Sequence, residues 1–223
     1  MPKPVLHKSS DKFFDEMASE RRIGSLLHIA PKLLDLQCDR VSERFSQLPW
    51  GTLGDFVDLR CWLFAKLSWN PNQGEFQLIN QWCDGACGKG APYIKEYLQM
   101  LKTIRSGLKG CGAYQPDCRG VFTPDDLFRG NAMFEKAIEA TKDDPRTSAH
   151  VRQQYASILT TLATRYNFDI AEAAAKKGIK LPSRDKMLDE LEALGKEFKC
   201  GTYREWDSFD NLIKALRRGE VLR

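Results

Sequence analysis

Residues 50–101 read WGTLGDFVDLRCWLFAKLSWNPNQGEFQLINQWCDGACGKGAPYIKEYLQML, and this stretch decides the fold. Phe56, Leu59, Leu63 and Leu67 recur at helical spacing with Arg60 and Lys66 between them. That is one apolar stripe on an amphipathic helix, expected from Leu53 to about Leu67. The helix stops at Trp69-Asn70-Pro71, because a residue before proline is pushed out of the α region and asparagine suits a turn. A second helix is expected from Gly74 to Cys83. Gly85, Gly88 and Gly90 then break the chain, and Pro92 fits the first turn of a third helix reaching about Gly107. Its inward face carries Ile94, Tyr97, Leu98, Leu101 and Ile104.

The same signals extend in both directions. Upstream, a helix is expected from Ser10 or Asp11 to Arg22, then Ile23 to Leu36 interrupted at Pro31, with Leu36 to Gln47 also read as helical. Downstream, Lys109 to Val121 is an irregular glycine-rich loop. Thr123-Pro124-Asp125-Asp126 combines a cap, a first-turn proline and two acids at the positive end of a helix dipole, so a helix is expected from there to about Thr141. Asp144-Pro145 repeats that logic for a helix to Tyr166, and the short connection makes the two an antiparallel hairpin. A short helix is expected from Phe168 to Lys177, closed by Gly178. Ser183 caps a helix from Arg184 to Phe198 that Gly201 ends. Tyr203 to Trp206 reads as a short extended segment, and Ser208 caps a last helix burying Phe209, Leu212, Ile213 and Leu216. The pattern is all-α: a multi-helix bundle of helix hairpins with a smaller C-terminal helical unit. The expected units are 1–50, an N-terminal helical arm; 51–166, the main helical domain; and 167–223, the C-terminal helical unit.

Composition narrows the function. The chain has 223 residues, 42% hydrophobic and 10% aromatic, which is ordinary for a folded globular protein. A formal net charge of +4, with acids and bases interleaved, lacks the concentrated basic stripe of a nucleic-acid binder. No apolar run has the length of a membrane span, and Met1 to Phe14 lacks the apolar core of a signal peptide. The chain as it stands is therefore expected in the cytoplasm.

Two runs resemble a known family. Leu59-Arg60, Trp62 to Leu67 and Trp69-Asn70-Pro71 are similar to a helix written LxxYxxAKLLWNP. Leu78-Ile79 to Gly85, followed by Gly88 to Leu98, is similar to the next signature, LIxxFxxGYYGxAAPYIxxYL. The family is that of bacterial alpha-glucuronidase-like glycoside hydrolases, in which the region also goes by the description of a domain of unknown function. A weaker likeness continues through Phe134 to Ala137 and Asp143-Asp144-Pro145 to Arg152. In the family these helices follow a TIM barrel. The paired aromatics before the glycine read Ala86-Cys87-Gly88 here, a departure. A barrel needs roughly 250 residues of alternating strand and helix, which this largely helical chain does not hold. The resemblance thus implies a helical accessory domain, non-catalytic by itself, with a catalytic barrel or a second copy of the chain as partner and carbohydrate as ligand. It also makes residues 1–50 a relic of a barrel element. As the tail of a longer enzyme, the chain would be secreted or periplasmic.

Candidate chemistry is sparse. A tryptophan face can stack on a sugar ring, and Trp50, Trp62, Trp69 and Trp82 cluster in the best-matched stretch. Core packing is the plainer reading of Trp62 and Trp69. Trp50, in a loop beside Pro49 and Gly51, is the carbohydrate-facing candidate, together with Glu43, whose segment the resemblance places near a barrel mouth. Glycoside hydrolysis needs two facing carboxyls. Asp55, Asp58 and Asp84 join Glu43 as carboxylates, but acids on helix surfaces are usually just solvated. His7, His28 and His150 have no ligand spacing around them. Cys83, Cys87, Cys111 and Cys118 could in principle supply four thiolates to zinc, without the two-residue spacing of a zinc knuckle. A zinc-binding adaptor is thus one alternative and a stand-alone helical interaction module another. The accessory-domain reading expects no cofactor.

Overall fold

The computed structural model describes residues 53, 56–106, 121–204 and 207–219. The described residues are all-α, with one short strand pairing. In chain order the helices are α1 Val57–Trp69, α2 Glu75–Cys87, α3 Ala91–Ser106, α4 Pro124–Thr141, α5 Pro145–Arg165, α6 Ala171–Lys177, α7 Arg184–Glu197 and α8 Phe209–Arg217. A 3-10 turn, Gly88–Gly90, joins α2 to α3, and a π-helical turn, Tyr166–Ile170, joins α5 to α6. Strands β1 Thr202–Arg204 and β2 Asp207–Ser208 pair antiparallel ahead of α8. The expected helices of residues 10–47 and the loop 109–120 lie outside the described residues.

The leucine stripe of α1 behaves as its spacing dictates: Leu59, Leu63 and Leu67 are fully buried. The helix begins later than expected, because Phe56 sits at its N-cap in the left-handed region, φ 46° and ψ 40°. A non-glycine residue there costs on the order of 1 kcal/mol. Tertiary packing holds it: the ring is fully buried, stacked on Tyr97 at 6.0 Å and edge-on to Trp82 at 6.2 Å. Phe134 continues the aromatic centre, 4.9 Å from Tyr97 and 5.7 Å from Tyr155. These five rings tie the start of α1 to α2, α3, α4 and α5, and such pairs add about 0.5–1.5 kcal/mol each beyond their burial.

The α4–α5 hairpin starts where the sequence says it should. Thr123 Oγ1 accepts from the Asp126 N–H while the Asp126 carboxylate accepts from the Thr123 N–H, a full capping box with Pro124 following. Asp144 caps α5 with its side chain alone, accepting from the Arg146 N–H at 3.0 Å, again with a proline following. Gly130 lets the neighbouring helices close in, since a Cβ there would lie 2.5 Å from Ile158 Cδ1 and 3.0 Å from Tyr97 Cε2.

Two expectations near the C-terminus need correction. No break precedes Phe168: the chain runs from α5 through the π turn straight into α6. The extra residue per turn lets Ile170 reach the core while the buried Arg165 guanidinium pairs with Asp169 and donates to the Phe122 carbonyl at 2.7 Å. Gly201 does not end α7 either. The left-handed residue is Lys199, φ 50°, with the Lys199 N–H bonding the Lys196 carbonyl and the Cys200 N–H the Gly195 carbonyl at 2.8 Å. That pair of bonds is a Schellman stop built on lysine. The C-terminal helices share the main core, as buried residues from Phe56 to Leu216 form one cluster. Arg152 on α5 grips Glu197 of α7 through two bonds of 2.8 and 2.6 Å, a bidentate pair.

Candidate functional site

The most unusual surface among the described residues is the outer side of α1 and the corner that follows it. An α-helix with leucines on one face normally turns polar residues outward. α1 instead carries Trp62, Ala65 and Trp69 together on one side of its stripe, with Phe64 on the opposite flank. Trp62 and Phe64 are half-buried at the edge of the core, whereas Ala65 is exposed and Trp69 is 90% exposed. The expected core packing of Trp69 is therefore wrong. Two residues beyond the inward Leu67, a side chain on a 3.6-residue helix points about 200° away from it. Lys66 lies over the Trp62 ring at 5.5 Å from its centroid.

The turn after Trp69 is tightly built. The Asn70 N–H donates to the Lys66 carbonyl at 3.0 Å, and Asn70 Oδ1 accepts from the Asn72 N–H at 3.1 Å. Gln73 Nε2 donates to the Lys66 and Asn70 carbonyls at 3.3 and 3.4 Å, satisfying carbonyls that a helix end leaves open. Pro71 is buried. The Trp-Asn-Pro motif is thus a rigid helix stop that presents the tryptophan to solvent. Just past it, Phe76 in the first turn of α2 is 49% exposed, with Lys102 Nζ of α3 at 3.8 Å from its ring centroid. Glu75 beside it has one carboxylate oxygen enclosed without a hydrogen-bond partner, and burial pushes its carboxyl up to about 7.

The sequence-derived candidates are dispersed. Trp50, Glu43, Asp55, Cys111 and Cys118 lie outside the described residues. Asp58 and His150 face each other at 3.9 Å, and Asp84 is paired with Lys95 at 2.6 Å, so each acid has a basic partner of its own. Cys83 and Cys87 are fully buried on α2, and burial pushes both thiols up to about 12. A zinc ligand must be a thiolate, which that environment strongly disfavours. Among the described residues no group of three or more His, Cys, Asp or Glu side chains is placed to hold a metal ion. No described helix is long and apolar enough to cross a membrane. Sequence reading passed over Glu75. A glutamate after glycine at a helix start reads as an ordinary first-turn acid, and only tertiary packing encloses it.

A family described as a domain of unknown function (DUF4838) matches residues 27–99. The match takes in α1, the Trp-Asn-Pro stop, α2 and the first half of α3, so both the aromatic outer face and the Glu75 corner fall within it. No curated protein and no solved structure matches the chain.

Proposed function

We propose that this chain is a helical accessory domain related to the C-terminal part of alpha-glucuronidase-like glycoside hydrolases. By itself it is non-catalytic. Its outer α1 face packs against a catalytic barrel and forms one rim of the barrel's cleft. The observation that carries this reading is the aromatic outer face of α1, ending at the 90% exposed Trp69, inside the family-matched residues. Large apolar side chains grouped on a surface mark a contact site, and tryptophan is among the residues that dominate contact energies. The motif likeness of Leu59 to Pro71 and Gly88 to Leu98 supplies the link to glycoside hydrolases.

An immunoblot of source cells with an antibody to this chain tests it. A band far above 25.4 kDa supports a barrel-containing enzyme, whereas a band at 25.4 kDa refutes it. Glycosidase turnover by the purified chain would also overturn it. The same exposed tryptophan favours a second reading, self-association of a stand-alone interaction module through α1. Sedimentation of the 25.4 kDa chain and of Trp69→Ala distinguishes that case by a dimer that the substitution dissolves.

A further inference from the structure

We propose that Glu75, Phe76 and Lys102 form a pH-sensitive latch at the open end of the α2–α3 hairpin. When Glu75 ionises, the Lys102 ammonium leaves the Phe76 ring for the carboxylate, and the ring is uncovered beside the exposed Trp69 corner.

The geometry supplies the first position and an unpartnered acceptor for the second. Lys102 Nζ rests 3.8 Å from the Phe76 ring centroid, a close cation–π contact, on a ring that is 49% exposed. Glu75, the adjacent residue and the first of α2, holds Oε1 out of water with no hydrogen-bond donor. Ionising a carboxyl without a donor in such a place is unfavourable unless a cation comes to it. The flexible four-carbon lysine stem permits that move.

Among the described side chains, most other charges near α2 have partners of their own, and Lys89 of the 3-10 turn is exposed. The helices packed on α2 are α1, α3 and α5. On α1, Lys66 covers Trp62, Asp58 faces His150 of α5, and Arg60 has an interaction of its own. On α3, Lys95 is paired with Asp84 and Glu96 with Arg129. On α5, Arg152 is paired with Glu197 and Arg165 with Asp169, while Arg146 is solvent-exposed. Lys102 supplies the charge that draws the Glu75 carboxyl down, against the larger effect of burial that raises it to about 7. The sign follows. The folded protein keeps this proton where the unfolded chain releases it, so the site favours folding most at acidic pH. That contribution is lost as pH rises from the ordinary value of 4.5 to about 7.

The test is an NMR pH titration of the full chain with isotope-labelled glutamate, lysine and phenylalanine. The expected result is one shared midpoint near 7 for the Glu75 carboxyl, the Lys102 ε-methylene and the Phe76 ring. Lys102→Met should shift the Glu75 midpoint upward and abolish the Phe76 response. Glu75→Gln should hold Lys102 over the ring at every pH. A Glu75 midpoint near 4.5 overturns the latch, as does a Phe76 ring that ignores the Glu75 titration. Phe76→Leu checks that the carboxyl still titrates near 7 when the ring is gone; a midpoint that falls to 4.5 there would assign the effect to the ring and overturn the exchange.

Discussion

Two glycines in helix interiors should respond to the same substitution with opposite signs. Replacing a mid-helix glycine with alanine gains about 1 kcal/mol of helix propensity when nothing else changes. Gly85 of α2 is exposed, and a Cβ built there meets no atom within 4 Å. Gly85→Ala should therefore stabilise the protein by about 0.5–1 kcal/mol. Gly195 of α7 is buried, and its Cβ would fall 2.1 Å from Phe209 Cε1, 2.7 Å from Cδ1 and 2.8 Å from Cζ. Phe209 cannot simply swing aside. It is buried, it opens α8 directly after the Ser208 cap, and its N–H bonds the Gly201 carbonyl at 3.1 Å. The clash is relieved only by moving α8 away from α7. Overpacking of this kind costs about 1–3 kcal/mol, and expelling the ring entirely would forfeit about 3 kcal/mol of burial. After the propensity gain of about 1 kcal/mol, Gly195→Ala should destabilise by up to about 2 kcal/mol. Urea unfolding of both variants measures the sum, and hydrogen exchange should show the loss concentrated in α8. Adding Phe209→Leu should recover roughly 1 kcal/mol by making room. If Gly195→Ala stabilised the protein as Gly85→Ala does, the docking of α8 through Phe209 onto α7 would be refuted.

Other consequences are simpler. Lys199→Gly should raise stability by about 1 kcal/mol in urea unfolding, because a left-handed lysine carries a penalty that glycine lacks. Thr123→Ala should lower it by about 1–2 kcal/mol, since the capping box at the start of α4 is lost and its open N–H groups go unmet. Cys83 and Cys87, buried with thiols pushed up to about 12, should stay unlabelled by a thiol reagent at neutral pH while half-buried Cys200 reacts. Peptide mapping by mass spectrometry reads this out, and labelling of Cys83 at the rate of Cys200 would contradict the packing of α2.

Local chemistry made much of the fold legible. The stripe Leu59, Leu63 and Leu67, the stop at Asn70-Pro71, the caps Thr123, Asp144, Ser183 and Ser208, and the stop at Gly178 each act within one or two helical turns. Each was therefore readable from neighbouring residues alone. The errors arose where a distant contact outweighed a local preference. Lys199 accepts a left-handed backbone although Gly201 stands nearby, and Phe56 does so because three other rings, Trp82, Tyr97 and Phe134, pack on it. The continuous passage from α5 to α6 depends on Arg165 meeting Asp169 and the Phe122 carbonyl, a partner 43 residues away.

The candidate site divides the same way. The sequence by itself determined that α1 ends in a rigid Trp-Asn-Pro stop and that its stripe of leucines turns inward, because periodicity and proline act locally. Whether Trp69 was core or surface, and whether Glu75 was solvated or enclosed, only the tertiary structure decided. Exposure and proton affinity are set by what packs alongside: burial raises the Glu75 carboxyl, and Lys102, which draws it part of the way back down, comes from another helix.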